Sequence, residues 1–119
     1  MDLNGISYLG GDIVEPLIAH FNRSFTSKFI SFMQFDFTTE SFPKSDLVLN
    51  RDCLFHLSYR DIQLTLSNFL KLDSKYLLST SNENRGKFIN ADIRSGSFRL
   101  IDLFDSPFRF PTNFHFEIS

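Results

Sequence analysis

Twice along this chain a β-type apolar segment is followed by a segment of helical period and then by another β-type segment. No other feature restricts the fold as much. Residues 6–13 form a short apolar segment interrupted by Gly10 and Gly11. With a helix next in line, they are expected to form a strand buried on both faces. Glu15-Pro16 opens the helix: proline in the first turn gives up an N–H that would lack a partner anyway, and Glu15 complements the dipole. Leu17, Ile18, Phe21 and Phe25 supply its apolar stripe. Residues 29–37, FISFMQFDF, read as the next strand, with Phe29, Phe32, Phe35 and Phe37 as core packing, and TTESFPKS as a polar loop. Residues 47–49 form a third strand that runs into Asn50, Arg51 and Asp52. Ser58 is placed to cap a helix reaching about Leu72, with Ile62, Leu66, Phe69 and Leu70 at helical spacing. KYLLST is a further strand and residues 81–97 a polar surface loop. FRLIDLF and FHFEIS read as short strands joined by a turn-rich link.

This order is that of an α/β fold, a mostly parallel sheet with flanking helices. In such sheets ligands sit beyond the carboxyl ends of the strands. Asp12, Asp36 and the Asn50–Asp52 trio all stand at such ends. With 119 residues the chain makes one domain at most. A formal net charge of −2 argues against a nucleic-acid footprint, which normally needs a basic face. One cysteine, Cys53, leaves neither an internal disulfide nor a thiolate cluster, and it reads as a small buried hydrophobe. No apolar run approaches the roughly 18 residues of a membrane span, and the first residues lack the pattern of a signal peptide, so a cytoplasmic protein is expected.

Taken one at a time, the polar residues have simple structural readings. Asp12 can serve backbone donors at a helix start, Asp36 can close a turn, and Arg51–Asp52 can be a local ion pair. His56 reads as a half-buried structural histidine. Taken together, YLGGDIVEPLI, FDF, DLVLNRDCLFHLS and YLLSTS resemble the second to fifth strands of a class I S-adenosylmethionine-dependent methyltransferase. NADIRSGSFRLIDLFDSPFRFP is similar to a segment of one bacterial subgroup of that superfamily. The likeness covers roughly residues 3–118, one partial methyltransferase-like domain over 1–119.

The resemblance implies a Rossmann-like, mostly parallel sheet. Asp12 would accept hydrogen bonds from the ribose hydroxyls of S-adenosylmethionine, with Ile13 beside the adenine. Asp36 would accept from the adenine amino group, with Phe37 against the ring. Asn50 and Arg51 would lie below the methionine part, and Asp52 would face a small-molecule or protein methyl acceptor. His56 would border the acceptor pocket, and Asp52 or His56 could take a proton from the acceptor. The family's first strand and glycine-rich turn have no counterpart here, and the last strand has no obvious sequence. An incomplete methyltransferase fold, truncated at the amino end and at the carboxyl end, is therefore expected. Open strand edges offer an alternative role, a non-catalytic interaction module that associates with itself or with a partner. Phenylalanines between 108 and 116 would then be left partly uncovered. A dinucleotide oxidoreductase also places an acid after its second strand, but gives the RDCLFH segment no role.

Overall fold

A computed structural model of the chain describes residues 5–40, 43–72 and 74–111. The protein divides into two compact units, Met1–Phe42 and Pro43–Ser119. Each contains one parallel strand pair and one α-helix connecting its strands, so the architecture is α/β.

In the first unit, β1 (Tyr8–Asp12), α1 (Glu15–Phe25) and β2 (Ile30–Gln34) form a strand–helix–strand crossover. β1 and β2 pair in parallel from Tyr8↔Ile30 to Asp12↔Gln34. Ile18 of α1 is buried, and the Phe21 ring lies 5.3 Å from that of Phe32. Gly10 and Gly11 allow the rings of Phe32 in β2 and of Phe35 just after it to lie across both faces of β1, because successive strand residues point to opposite sides. A Cβ on Gly10 would come within 2.6 Å of the Phe32 ring, and one on Gly11 within 2.2 Å of the Phe35 ring. Glycine inside a strand usually weakens it; here the missing side chains make room for the aromatic layer.

Much of the outer edge of β2 is met by the chain itself. The Asn22 side-chain amide receives a hydrogen bond from the Phe32 N–H at 3.2 Å and donates to the Phe32 carbonyl at 3.1 Å, taking the place of a neighbouring strand. Ser27 and Ile30 exchange backbone hydrogen bonds at 2.9 and 3.4 Å. The expectation of a first strand buried on both faces is not met. Leu9 and Ile13 are exposed, because one helix covers the pair among the described residues.

In the second unit, β3 (Leu47–Asn50) and β4 (Tyr76–Ser79) pair in parallel, with a 3-10 turn at Leu54–His56 and helix α2 (Tyr59–Lys71) between them. Ser58 caps α2 as expected, its hydroxyl accepting from the Asp61 N–H at 3.1 Å. Asp92 supplies a second acceptor, to the Tyr59 N–H at 2.8 Å. Of the expected α2 stripe, Ile62 and Phe69 are buried, whereas Leu70 is 82% exposed and Thr65 is turned inward instead.

The core of this unit is Leu54, Ile62, Ile101 and Leu103. Ile101 and Leu103 belong to FRLIDLF, which forms no strand. Its N–H groups are taken up by side chains: Ile101 by Asn82 Oδ1, Asp102 by Asn90 Oδ1 and Leu103 by Ser81 Oγ, each at 2.9 Å. Residues 81–97 are accordingly not a simple surface loop but the framework that holds this segment. Phe108 and Phe110 pack against the core rather than lying uncovered. FHFEIS, with Phe114 and Phe116, lies outside the described residues.

Gly11→Ala forces the buried Phe35 ring out of its place. The expected cost is about 1–3 kcal/mol of stability in the first unit, read as reduced hydrogen-exchange protection of β1 and β2 amides while those of α2 are unchanged.

Candidate functional site

The parallel register brings Asp12 and Asp36 to the same end of the β1–β2 pair. Asp12 ends β1 opposite Gln34, its carbonyl accepts from the Phe35 N–H at 3.0 Å, and Asp36 follows directly. Asp12 Oδ1 accepts from the Val14 N–H at 2.9 Å, a local bond that fixes the entry into α1. Oδ2 of the same carboxylate makes no hydrogen bond among the described residues. Ile13 is exposed beside it.

Asp36 is occupied by turn chemistry. Its Oδ1 accepts from the Thr38 N–H at 2.9 Å and from the Thr38 hydroxyl at 2.7 Å, and its carbonyl accepts from the Glu40 N–H at 3.0 Å. The Thr38 hydroxyl, then the Thr38 N–H, hold the Asp36 carboxyl below its ordinary value. The half-buried Phe37 ring meets Phe35 edge-on, with centroids 4.7 Å apart.

In the second unit Asn50 ends β3 opposite Ser79, is buried, and donates to the Ser79 hydroxyl at 3.3 Å. The Thr80 N–H donates to the Asn50 carbonyl at 3.1 Å, and the Asp52 N–H donates to the Thr80 hydroxyl at 3.0 Å. Asp52 adopts a left-handed φ of 53°, a conformation that aspartate tolerates better than most residues. Its carboxylate and the Arg51 guanidinium are both exposed and 3.6 Å apart, a weak, solvent-screened pair. Cys53 is half-buried rather than buried. His56 is exposed, not half-buried, because the 3-10 turn presents it outward while Leu54 enters the core. Its Nδ1 lies 3.1 Å from the Ser97 carbonyl oxygen.

Arg99 carried no signal in the sequence reading, yet it is the best-anchored cation of this unit among the described residues. Nε donates to the Ala91 carbonyl at 3.0 Å and one terminal nitrogen to the Leu54 carbonyl at 3.2 Å, with the guanidinium 5.7 Å from the Tyr59 ring centroid. Burial lowers its pKa from the ordinary arginine value and raises that of Tyr59. Only spatial proximity of segments far apart in sequence could have revealed it.

A groove of about 460 Å³ also lies in the second unit, walled by Val48, Leu66, Phe69, Leu77 and Phe110. It is apolar, and Asn50, Arg51, Asp52 and His56 take no part in its lining. No group of three or more metal-ligating side chains occurs among the described residues. No described helix is long and apolar enough to cross a membrane. Comparison with protein-family models, curated proteins and solved structures finds no match.

Because the folded pKa of Asp36 is depressed, its stabilising effect is present above the unfolded carboxyl pKa and is lost as pH falls through the folded one. Thr38→Val removes the larger cause. The expected result is an upward shift of the Asp36 carboxyl midpoint towards its ordinary 3.8 in an NMR titration, and a smaller loss of first-unit stability on acidification.

Proposed function

We propose that this chain derives from the class I S-adenosylmethionine-dependent methyltransferases and is a Rossmann-like, mostly parallel α/β protein of the cytoplasm. It retains residues for the nucleoside of the cofactor and for the methyl acceptor. The observation that supports this best is the pairing register of the first unit. It sets Asp12 and Asp36 at one end of a parallel pair and leaves one Asp12 oxygen uncommitted. A ribose diol presents two adjacent O–H donors, and a carboxylate offers acceptor sites on both oxygens, so a single local bond at Oδ1 leaves room for it. Ile13 and Phe37 would supply apolar contacts for the adenine, and Asp36 an acceptor for its amino group.

The resemblance alone assigns Asn50 and Arg51 to the amino-acid part of the cofactor, and Asp52 and His56 to the acceptor side. When bound, S-adenosylmethionine supplies an activated methyl group on a sulfonium. The chain's task is then to orient the acceptor and manage its proton. The acceptor would be a small molecule or a protein.

Titration of S-adenosylhomocysteine into the full chain, followed by calorimetry, tests this. Asp12→Asn keeps an oxygen for the Val14 N–H but replaces the second acceptor with a donor. Binding is expected to fall about tenfold or more, the loss for a hydrogen bond to a charged group of about 1.5–3 kcal/mol. A folded chain that binds nothing, or an Asp12→Asn variant that binds equally well, would remove the proposal.

A second reading, a non-catalytic module associating through its strands, draws support from the β3–β4 pair. Leu47, Leu49, Tyr76 and Leu78 project from one face of that pair and all four are exposed. It gains less from β2, where Asn22 and Ser27 occupy the outer edge at Phe32 and Ile30. On this reading the chain self-associates with rising concentration in analytical ultracentrifugation, and Leu49→Lys shifts it towards monomer. A monomer at every concentration would rule it out.

A further inference from the structure

β1 has one edge paired and one edge open. The Tyr8 N–H donates to the Phe29 carbonyl at 2.7 Å, and the Asp12 carbonyl accepts from the Phe35 N–H at 3.0 Å. Tyr8, Gly10 and Asp12 therefore turn their backbone groups to β2, while those of Leu9 and Gly11 point the other way. The N–H and C=O groups of Leu9 and Gly11 have no hydrogen-bond partner among the described residues. β2 differs, because its outward groups at Ile30 and Phe32 are met by Ser27 and Asn22. An unpaired row of this kind is a template for another strand. Exposed apolar side chains flank it: Leu9 and Ile13 on the strand and just beyond, Val14 and Leu17 where the chain enters α1.

The strand that fits this edge is a second β1. Gly10 is the midpoint of Tyr8–Asp12, so an antiparallel copy centred on Gly10 matches the strand end to end. Leu9 then faces Gly11 of the second copy, and the two exchange both backbone hydrogen bonds. Each Leu9 side chain meets a residue that has none. At the axis the two Gly10 residues form the narrow kind of pair, whose Cα atoms approach to about 4.5 Å, and neither carries a Cβ. Asp12 lies opposite Tyr8 rather than opposite itself. The two Asp12 carboxylates stand four residues apart along the ladder, about 14 Å, beyond a screening length of about 8–10 Å. A pairing centred on Leu9 or Gly11 would call on Ser7 or Ile13, which lie outside β1. α1 packs over its own strand pair, with Phe21 against Phe32. With strands about 4.8 Å apart, the two α1 helices would stand about 9.6 Å apart on one face, within the usual 8–10 Å of packed helices.

We propose that two copies of this chain join through β1 into a four-stranded sheet of order β2–β1–β1–β2, whose central pair is antiparallel about a two-fold axis at Gly10. A two-fold contact of this kind is closed, since each copy offers the same edge. It is separate from the β3–β4 face and depends on neither reading above.

Analytical ultracentrifugation of the full chain carrying Leu49→Lys, which blocks the β3–β4 face, is expected to show a monomer–dimer equilibrium. Adding Leu9→Lys sets like charges diagonally across the central ladder. The dissociation constant is expected to rise about tenfold or more, with circular dichroism checking that the exposed substitution leaves the fold intact. Amide exchange in the unsubstituted chain reads the contact without any variant. The Leu9 and Gly11 amides are expected to exchange slowly where the dimer prevails and fast on dilution, while the Phe35 amide, bonded to the Asp12 carbonyl, stays protected at both concentrations. In a mixture of isotope-labelled and unlabelled chains, a filtered NMR cross-peak between the Gly10 Hα protons of the two copies is expected and fixes the register. A Leu49→Lys chain that is monomeric at every concentration overturns the proposal. So does a dimer indifferent to Leu9→Lys, one whose Leu9 and Gly11 amides exchange freely, or one without the Gly10 cross-peak.

Discussion

Parallel strand pairing governs where the chemically interesting residues at the strand ends of this protein lie. Two parallel neighbours cannot be joined by a tight turn. The chain must return by a crossover, and both strands then leave the pair at the same end. In the first unit this sets Asp12 and Asp36 on one side of the pair, joined through the Phe35 N–H and the Asp12 carbonyl. In the second it sets Asn50, Asp52 and Thr80 together, linked by the Thr80 N–H to Asn50 and the Asp52 N–H to the Thr80 hydroxyl. A slip of one residue in either register would turn Asp12 or Asn50 to the opposite face. The pairing is what makes these residues neighbours at all.

Features written in local sequence were legible. Pro16 in the first turn of α1, the Ser58 cap of α2 and the β-rich character of the first four strand segments act within a few residues, and each of these elements formed where they pointed. Position relative to the core was less legible. Leu70 falls on the helical stripe of α2 yet is 82% exposed, because Ile101 and Leu103, far along the chain, fill the core from another direction. FRLIDLF has the composition of a strand, but no strand lies beside it among the described residues. Its polar backbone is met by Ser81, Asn82 and Asn90. Periodicity reports which residues want burial and is silent on whether a strand or a side chain will serve their N–H groups.

Those side chains explain how a stretch without regular elements can be fixed in place. Asn84 Oδ1 accepts from the N–H groups of Gly86, Lys87 and Phe88 at 2.9, 3.1 and 3.3 Å, and its amide donates to the Phe88 carbonyl. The buried Asp102 carboxylate accepts from the Asn84 and Phe104 N–H groups at 2.8 and 2.9 Å. Burying a polar group without a partner costs about 1–3 kcal/mol, so a segment whose groups are shared among several amides resists opening at any one of them. The consequence reaches His56, since Gly96 and Ser97, which bond its carbonyl and meet its Nδ1, belong to the same segment.

A structural bond at a strand end also leaves such a carboxylate able to accept from a ligand, for reasons of simple valence. An ionised carboxylate has about four lone-pair sites, and a bond from one backbone N–H uses one of them. The Val14 N–H on Asp12 Oδ1 therefore restrains rotation of the carboxyl group while leaving Oδ2 able to accept. A side chain already held in one orientation loses less freedom when a ligand arrives. Asp36 is different in degree: Thr38 presents two donors to one oxygen and lowers its affinity for a proton. The turn that Asp36 closes keeps it charged, which suits it to face a donor. The local bonds that would account for each aspartate as mere turn chemistry are the same bonds that would prepare it to hold a ligand.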